Sequence, residues 1–124
     1  MNKWDVVILS YPFSDLQAVK ARPGIVISPN AFHHSSPDAV FILITSNTTR
    51  QAPYDVIVPT THPEFLRTGL RVASAIRVNK LSTLSKSLVI RKIGLLGVQL
   101  QGEVETALKN FFEIPPYQPA LHSQ

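Results

Sequence analysis

The chain has 124 residues, of which 44% are hydrophobic and 16% charged; this composition specifies one folded domain and excludes a disordered chain or two full domains. Twelve Lys and Arg against eight Asp and Glu give a formal charge of +4, which suits a phosphate-bearing partner. With no cysteine, a disulfide framework, a thiolate zinc site and a cysteine nucleophile are all excluded.

Val6 to Tyr11 is apolar, β-branched and aromatic, and stops at Pro12, so it predicts a strand. The run is too short for the apolar core of an export signal, and no stretch nears the roughly 18 apolar residues of a membrane span. A cytoplasmic protein with no membrane partner is expected. Ser14 to Ala21 reads as a loop. Arg22 follows it and is held extended by Pro23, because the α region is disfavoured before proline. Gly24 to Ser28 predicts a second strand, and Ala31 to Pro37 a turn or a single helical turn.

Ala39 to Ile44 is the strongest apolar run and predicts a strand buried on both faces, ending in the polar cluster Thr45 to Gln51. Tyr54 to Val58 alternates as a half-buried strand. His62 to Gly69 reads as a loop with a short helix. Arg71 to Val78 predicts a strand with Val72, Ser74, Ile76 and Val78 on one face, and Leu88 to Gly94 predicts the last strand. Val104, Ala107, Leu108, Phe111 and Phe112 recur at helical spacing and stop before Pro115. The expectation is one domain over residues 1–114, mostly β, a small barrel closed by a C-terminal α-helix, with 115–124 as a flexible tail.

The usual acid–base groups form no constellation. His33 and His34 are adjacent, His62 is in a loop and His122 in the tail, so no pair has metal-ligand spacing and no metal is expected. Asp15, Asp38, Asp55 and Glu64 are scattered, and neither a G-x-S-x-G elbow nor a Gly-rich phosphate loop is present. What remains is polar residues at strand ends. If the second and third strands pair antiparallel, Arg22 and Thr45 meet at one cleft; the alternative is a solvated arginine and a strand-end hydroxyl. Arg50, Arg67, Arg71, Arg77 and Lys80 are candidates to attract a nucleic acid strand, and Tyr11, Phe13, Tyr54 and Phe65 to stack on its bases.

Asp5 to Leu9, then Pro12-Phe13-Ser14-Asp15-Leu16, then Lys20-Ala21-Arg22-Pro23-Gly24 running into Ile25 to Ser28, resembles the opening of PemK/MazF-type toxins. Leu43-Ile44-Thr45-Ser46 looks like that family's "ITS" strand end. Ser74 to Leu81 looks like its "QIRTVDKSRL" segment, and Ile93-Gly94-Leu95-Leu96 like its "IGRLS" lead into the terminal helix. The match spans about residues 4–113. The resemblance implies an SH3-like small barrel of the MazF/CcdB/Kid type and a homodimer. It also implies an endoribonuclease that cleaves single-stranded RNA without metal or other cofactor, and a cognate antitoxin protein as partner. Arg22 and Thr45 are similar to the family's catalytic arginine and threonine; Lys20, Ser46, Asn47 and Arg77 are candidates for RNA contact. The chain departs from the family at Asn47 and Ser74, where many members have Gln. It departs again at Gly97-Val98-Gln99, which replaces an acidic opening of the terminal helix. The alternative is a CcdB-like barrel that inhibits a protein target such as DNA gyrase instead of cutting RNA.

Overall fold

The computed structural model describes residues 1–12, 19–116 and 119. Six strands, β1 (Asp5–Pro12), β2 (Val19–Val26), β3 (Asp38–Thr45), β4 (Asp55–Val58), β5 (Ser74–Ser85) and β6 (Val89–Leu95), form one sheet in the order β4-β5-β3-β2-β1-β6, every neighbouring pair antiparallel. The helices are α1 (Asn30–Ser35) and α2 (Val98–Phe111), with 3-10 turns at Phe65–Thr68 and Lys86–Leu88. This is the mostly β domain with a C-terminal helix expected from the pattern of apolar runs.

The sheet bends because its registers slip. Leu43 is opposite Arg77, yet the next residue of β3, Ile42, is opposite Leu81, so three residues of β5 bulge out of the ladder. Two further shifts lie between β1 and β6. Bulges kink a strand and raise its twist, which lets a six-stranded sheet curl around a core. The curl separates two apolar clusters. The larger joins Val6, Ile25, Ile42, Ile44, Val58, Ile76 and Val78 to Leu96, Leu100 and Val104. The smaller joins Val7, Leu9, Val26, Ala39 and Phe41. Successive β3 residues Phe41 and Ile42 belong to different clusters, so this strand is covered on both faces, as its continuous apolar run predicts.

Several boundaries differ from the sequence reading. Val19 to Ala21, expected in a loop, extend β2; the rest of that loop, and residues 117, 118 and 120–124 of the expected tail, lie outside the described residues. The strand expected over Arg71 to Val78 starts at Ser74 and runs to Ser85, and Val72 is 52% exposed, off the buried face of Ser74, Ile76 and Val78. The polar stretch Asn79 to Ser85 shows no strand signal of its own; it is a strand because Asp38 to Ile42 pair with it. α2 starts at Val98, a turn and a half before the apolar periodicity becomes clear.

Candidate functional site

A cleft of about 880 Å³ is lined by the middle of β2 and of β6, by Ile8 of β1, by the end of β3 and by the segment leading into β5. Its position follows from the pairing of β2 with β3. Gly24 is opposite Leu43, Ile25 opposite Ile42 and Val26 opposite Phe41. Continuing that register two residues beyond the last pair brings Arg22 level with Thr45, and both line the cleft. Gly24 permits the approach: a Cβ there would lie 2.9 Å from the Leu9 Cδ1 atom and 3.2 Å from the Ile42 carbonyl oxygen.

Thr45 is half-buried, and its Oγ1 accepts the Asn47 N–H at 3.1 Å, closing a tight turn at the strand end. The hydroxyl proton remains available for donation. The Asn47 side-chain oxygen accepts from both the N–H and the hydroxyl of Thr49, at 3.1 and 2.7 Å, which braces the loop beyond. Ser46 and Asn47 also line the cleft and are exposed.

The opposite wall runs from Gly69 to Val72. The turn at Phe65–Thr68 sets it in place. The buried Thr68 hydroxyl donates to the Phe65 carbonyl at 2.6 Å and accepts the Leu70 N–H at 3.1 Å. Gly69 then adopts φ 73°, and a Cβ on it would sit 2.0 Å from the Ile93 carbonyl oxygen. Only glycine allows this backbone to lie so close on β6.

The charged residues among the described lining are Arg22, Arg71 and Arg91. No carboxylate is among the described lining, and several described ones are held elsewhere: Asp5 by Lys92 at 3.2 Å, Asp55 by Arg77 at 3.8 Å, Glu103 by His62 at 3.0 Å, and Glu64 by the backbone N–H groups of Gln99 and Leu100 at 3.0 and 2.8 Å. All of the described charged lining is cationic, which favours an anion.

Of the predicted site residues, the structure brings together Arg22, Thr45, Ser46 and Asn47. Lys20 and Arg77 are not among the described lining residues. Lys20 is exposed on β2 opposite Tyr11. Arg77 is half-buried, its Nη2 donating to the Arg50 carbonyl at 2.6 Å and its Nε facing the nearly inaccessible Asp55 carboxylate. Arg91 was missed because nothing in its local pattern distinguishes it from Lys92; only the pairing of β6 with β1 turns it into the cleft.

The described aromatic candidates are also elsewhere. Phe65 is core, Tyr54 packs edge-on against Phe111 at 5.4 Å, the Tyr11 hydroxyl meets that of Ser82 at 3.2 Å, and Phe13 lies outside the described residues. The histidines do not converge on the cleft. His33 is buried against the Ser28 hydroxyl at 2.6 Å; burial, followed by the nearby Lys86, holds its pKa below the ordinary 6.5. His62 accepts the Glu64 N–H at Nδ1, which places the ring proton on Nε2, facing Glu103. No group of three or more His, Asp or Glu that would hold a metal ion occurs among the described residues.

The family of PemK-like, MazF-like toxins of type II toxin–antitoxin systems matches residues 2–112. The chain belongs to this family. Comparison with curated proteins gives no match. Among solved structures, the fold is similar to that of a mycobacterial endoribonuclease in complex with its cognate antitoxin, at TM-score 0.72 and 19% identity over 93% of this chain and 97% of the other. It is similar to the toxin MazF-mt6 of Mycobacterium tuberculosis, at TM-score 0.71 and 20% identity over 90% and 98%. It is also similar to MazF from Deinococcus radiodurans, at TM-score 0.71 and 19% identity over 92% and 97%. The family match and the fold agree with the order of motifs in the sequence, and they do not favour the gyrase-inhibitor alternative.

Proposed function

We propose that this chain is the toxin of a toxin–antitoxin pair and an endoribonuclease that cuts single-stranded RNA, with Arg22 and Thr45 as its catalytic residues. The reading rests on one observation: Arg22 and Thr45 come level across β2 and β3, in a cleft whose described charged lining is entirely arginine. The reaction is an in-line attack of a ribose 2′-oxygen on the adjacent phosphorus. The new P–O bond forms as the bond to the 5′-oxygen breaks, leaving a cyclic phosphate and a 5′-hydroxyl, and one proton passes in net from the 2′-oxygen to the 5′-oxygen. The Arg22 guanidinium donates its planar fork to the phosphoryl oxygens as their charge grows. A preorganised donor of this kind contributes roughly 3–4 kcal/mol to the transition state. Thr45 orients a phosphoryl oxygen or the 2′-hydroxyl by hydrogen bond; its hydroxyl is too weak a base to take the proton. Ser46 and Asn47 contact the adjoining nucleotide.

The test is labelled RNA incubated with the purified protein in EDTA. Cleavage is expected, and Arg22→Ala should abolish it with the thermal melt nearly unchanged, since Arg22 is exposed. Intact RNA with the unaltered protein, or cleavage surviving in the variant, rejects the reading. The positive cleft also suits an acidic, partly disordered antitoxin segment that folds over it and blocks RNA. The site is proposed to work in a homodimer in the cytoplasm.

A further inference from the structure

Arg91 is placed by two ladders. It is opposite Ile8 on β1, and Ile8 is opposite Pro23 on β2, so the three share one rung of the sheet. Neighbouring strands are about 4.8 Å apart, which puts the Arg91 backbone about 10 Å from that of Pro23, next in sequence to Arg22. Among the described residues, neither the Arg91 nor the Arg71 side chain has a hydrogen-bond or ion-pair partner, and both residues are exposed in the lining of the cleft. Their neighbours differ. Lys92 is tied to Asp5, and Arg77 to Asp55 and the Arg50 carbonyl.

A guanidinium without a carboxylate partner, in a cleft without described acids, is poised for an anion. Bringing it onto the same phosphate as Arg22 would press two cations together, whereas the next phosphate along an extended strand separates them. We propose that Arg91, flanked by Arg71, binds a phosphate adjoining the scissile one, so that the site needs a polynucleotide charged beyond the bond it cuts. This rests on the nuclease reading and deepens it; Arg91 is a positioning residue, not a catalytic one.

The test uses a short fluorescent strand carrying a cleavage site mapped on mixed RNA, with each flanking linkage replaced in turn by an uncharged methylphosphonate. Arg91→Ala should raise KM about tenfold, the loss of one charge-assisted contact, and leave kcat within a factor of about two. The unaltered protein should show the same loss on one neutral-linkage substrate, and the variant no further loss on it. Arg91→Lys should recover most of the affinity. Losses that add on every substrate, a loss confined to kcat, or no loss at all would overturn the assignment. If the unaltered protein cuts no RNA, the nuclease reading fails by itself. Fluorescence anisotropy with an uncleavable 2′-O-methyl strand then tests Arg91 separately: affinity should fall about tenfold in Arg91→Ala, and equal affinity overturns the contact.

Discussion

Gly94 and Gly102 differ in what surrounds them. A Cβ on Gly94 would lie 2.4 Å from the backbone of Arg67 and Thr68, where the 3-10 turn packs onto β6. Nothing lies within 4 Å of a Cβ on Gly102, in the middle of α2. Gly94→Ala should therefore destabilise the fold by about 1–3 kcal/mol, through backbone that cannot move without disturbing the Gly69 wall of the cleft. Gly102→Ala should stabilise it by about 1 kcal/mol, because alanine loses less backbone entropy in a helix. Chemical denaturation of the two variants checks both signs; equal effects would mean that local packing does not set these positions. Arg77 shows how charge can be spent on the fold: it faces the buried Asp55 carboxylate and donates to the Arg50 carbonyl.

At the scale of elements, α2 is capped from a distance. Its first turn has no acidic residue and its N-cap, Gly97, has no side chain to offer. The Glu64 carboxylate supplies what is missing, accepting the Gln99 and Leu100 N–H groups and lying against Gly97. Burial raises the Glu64 pKa, but the two backbone hydrogen bonds outweigh it, and the pKa falls below the ordinary 4.5. A lowered carboxylate pKa gives stability that is complete above the unfolded value and is lost as pH falls through the folded one. Glu64→Gln should cost about 0.5–2 kcal/mol near neutral pH, and the deficit should shrink as pH drops below about 4.5. Thermal melts of both proteins from pH 7 to pH 3 check this; a gap that is constant with pH would remove the charge from the explanation.

At the scale of the whole molecule, the two sheet edges, β4 and β6, are candidates for pairing with another chain. Leu66 is 90% exposed and Val98 79% exposed, on the two segments that Glu64 joins. Covering such surface is the physical case for the proposed homodimer. Light scattering at micromolar concentration should give twice the chain mass of 13.7 kDa, and a monomer would remove the dimer from the proposal.

Sequence alone determined what depends on near neighbours. The apolar run of β3 set it between two clusters, the helical spacing of Val104 to Phe111 set α2 against the core, and Pro23 kept Arg22 extended, in what the structure shows to be the middle of β2. The family motifs added Thr45 as its partner. Tertiary structure decided what depends on register. The polar half of β5 is a strand only because β3 pairs with it, and Glu64 caps a helix 35 residues away because the turn at Phe65–Thr68 docks on β6. Arg91 lies in the cleft and Arg77 outside its described lining because a residue's neighbours across a sheet are set by pairing and bulges, which leave no periodic trace in the chain itself.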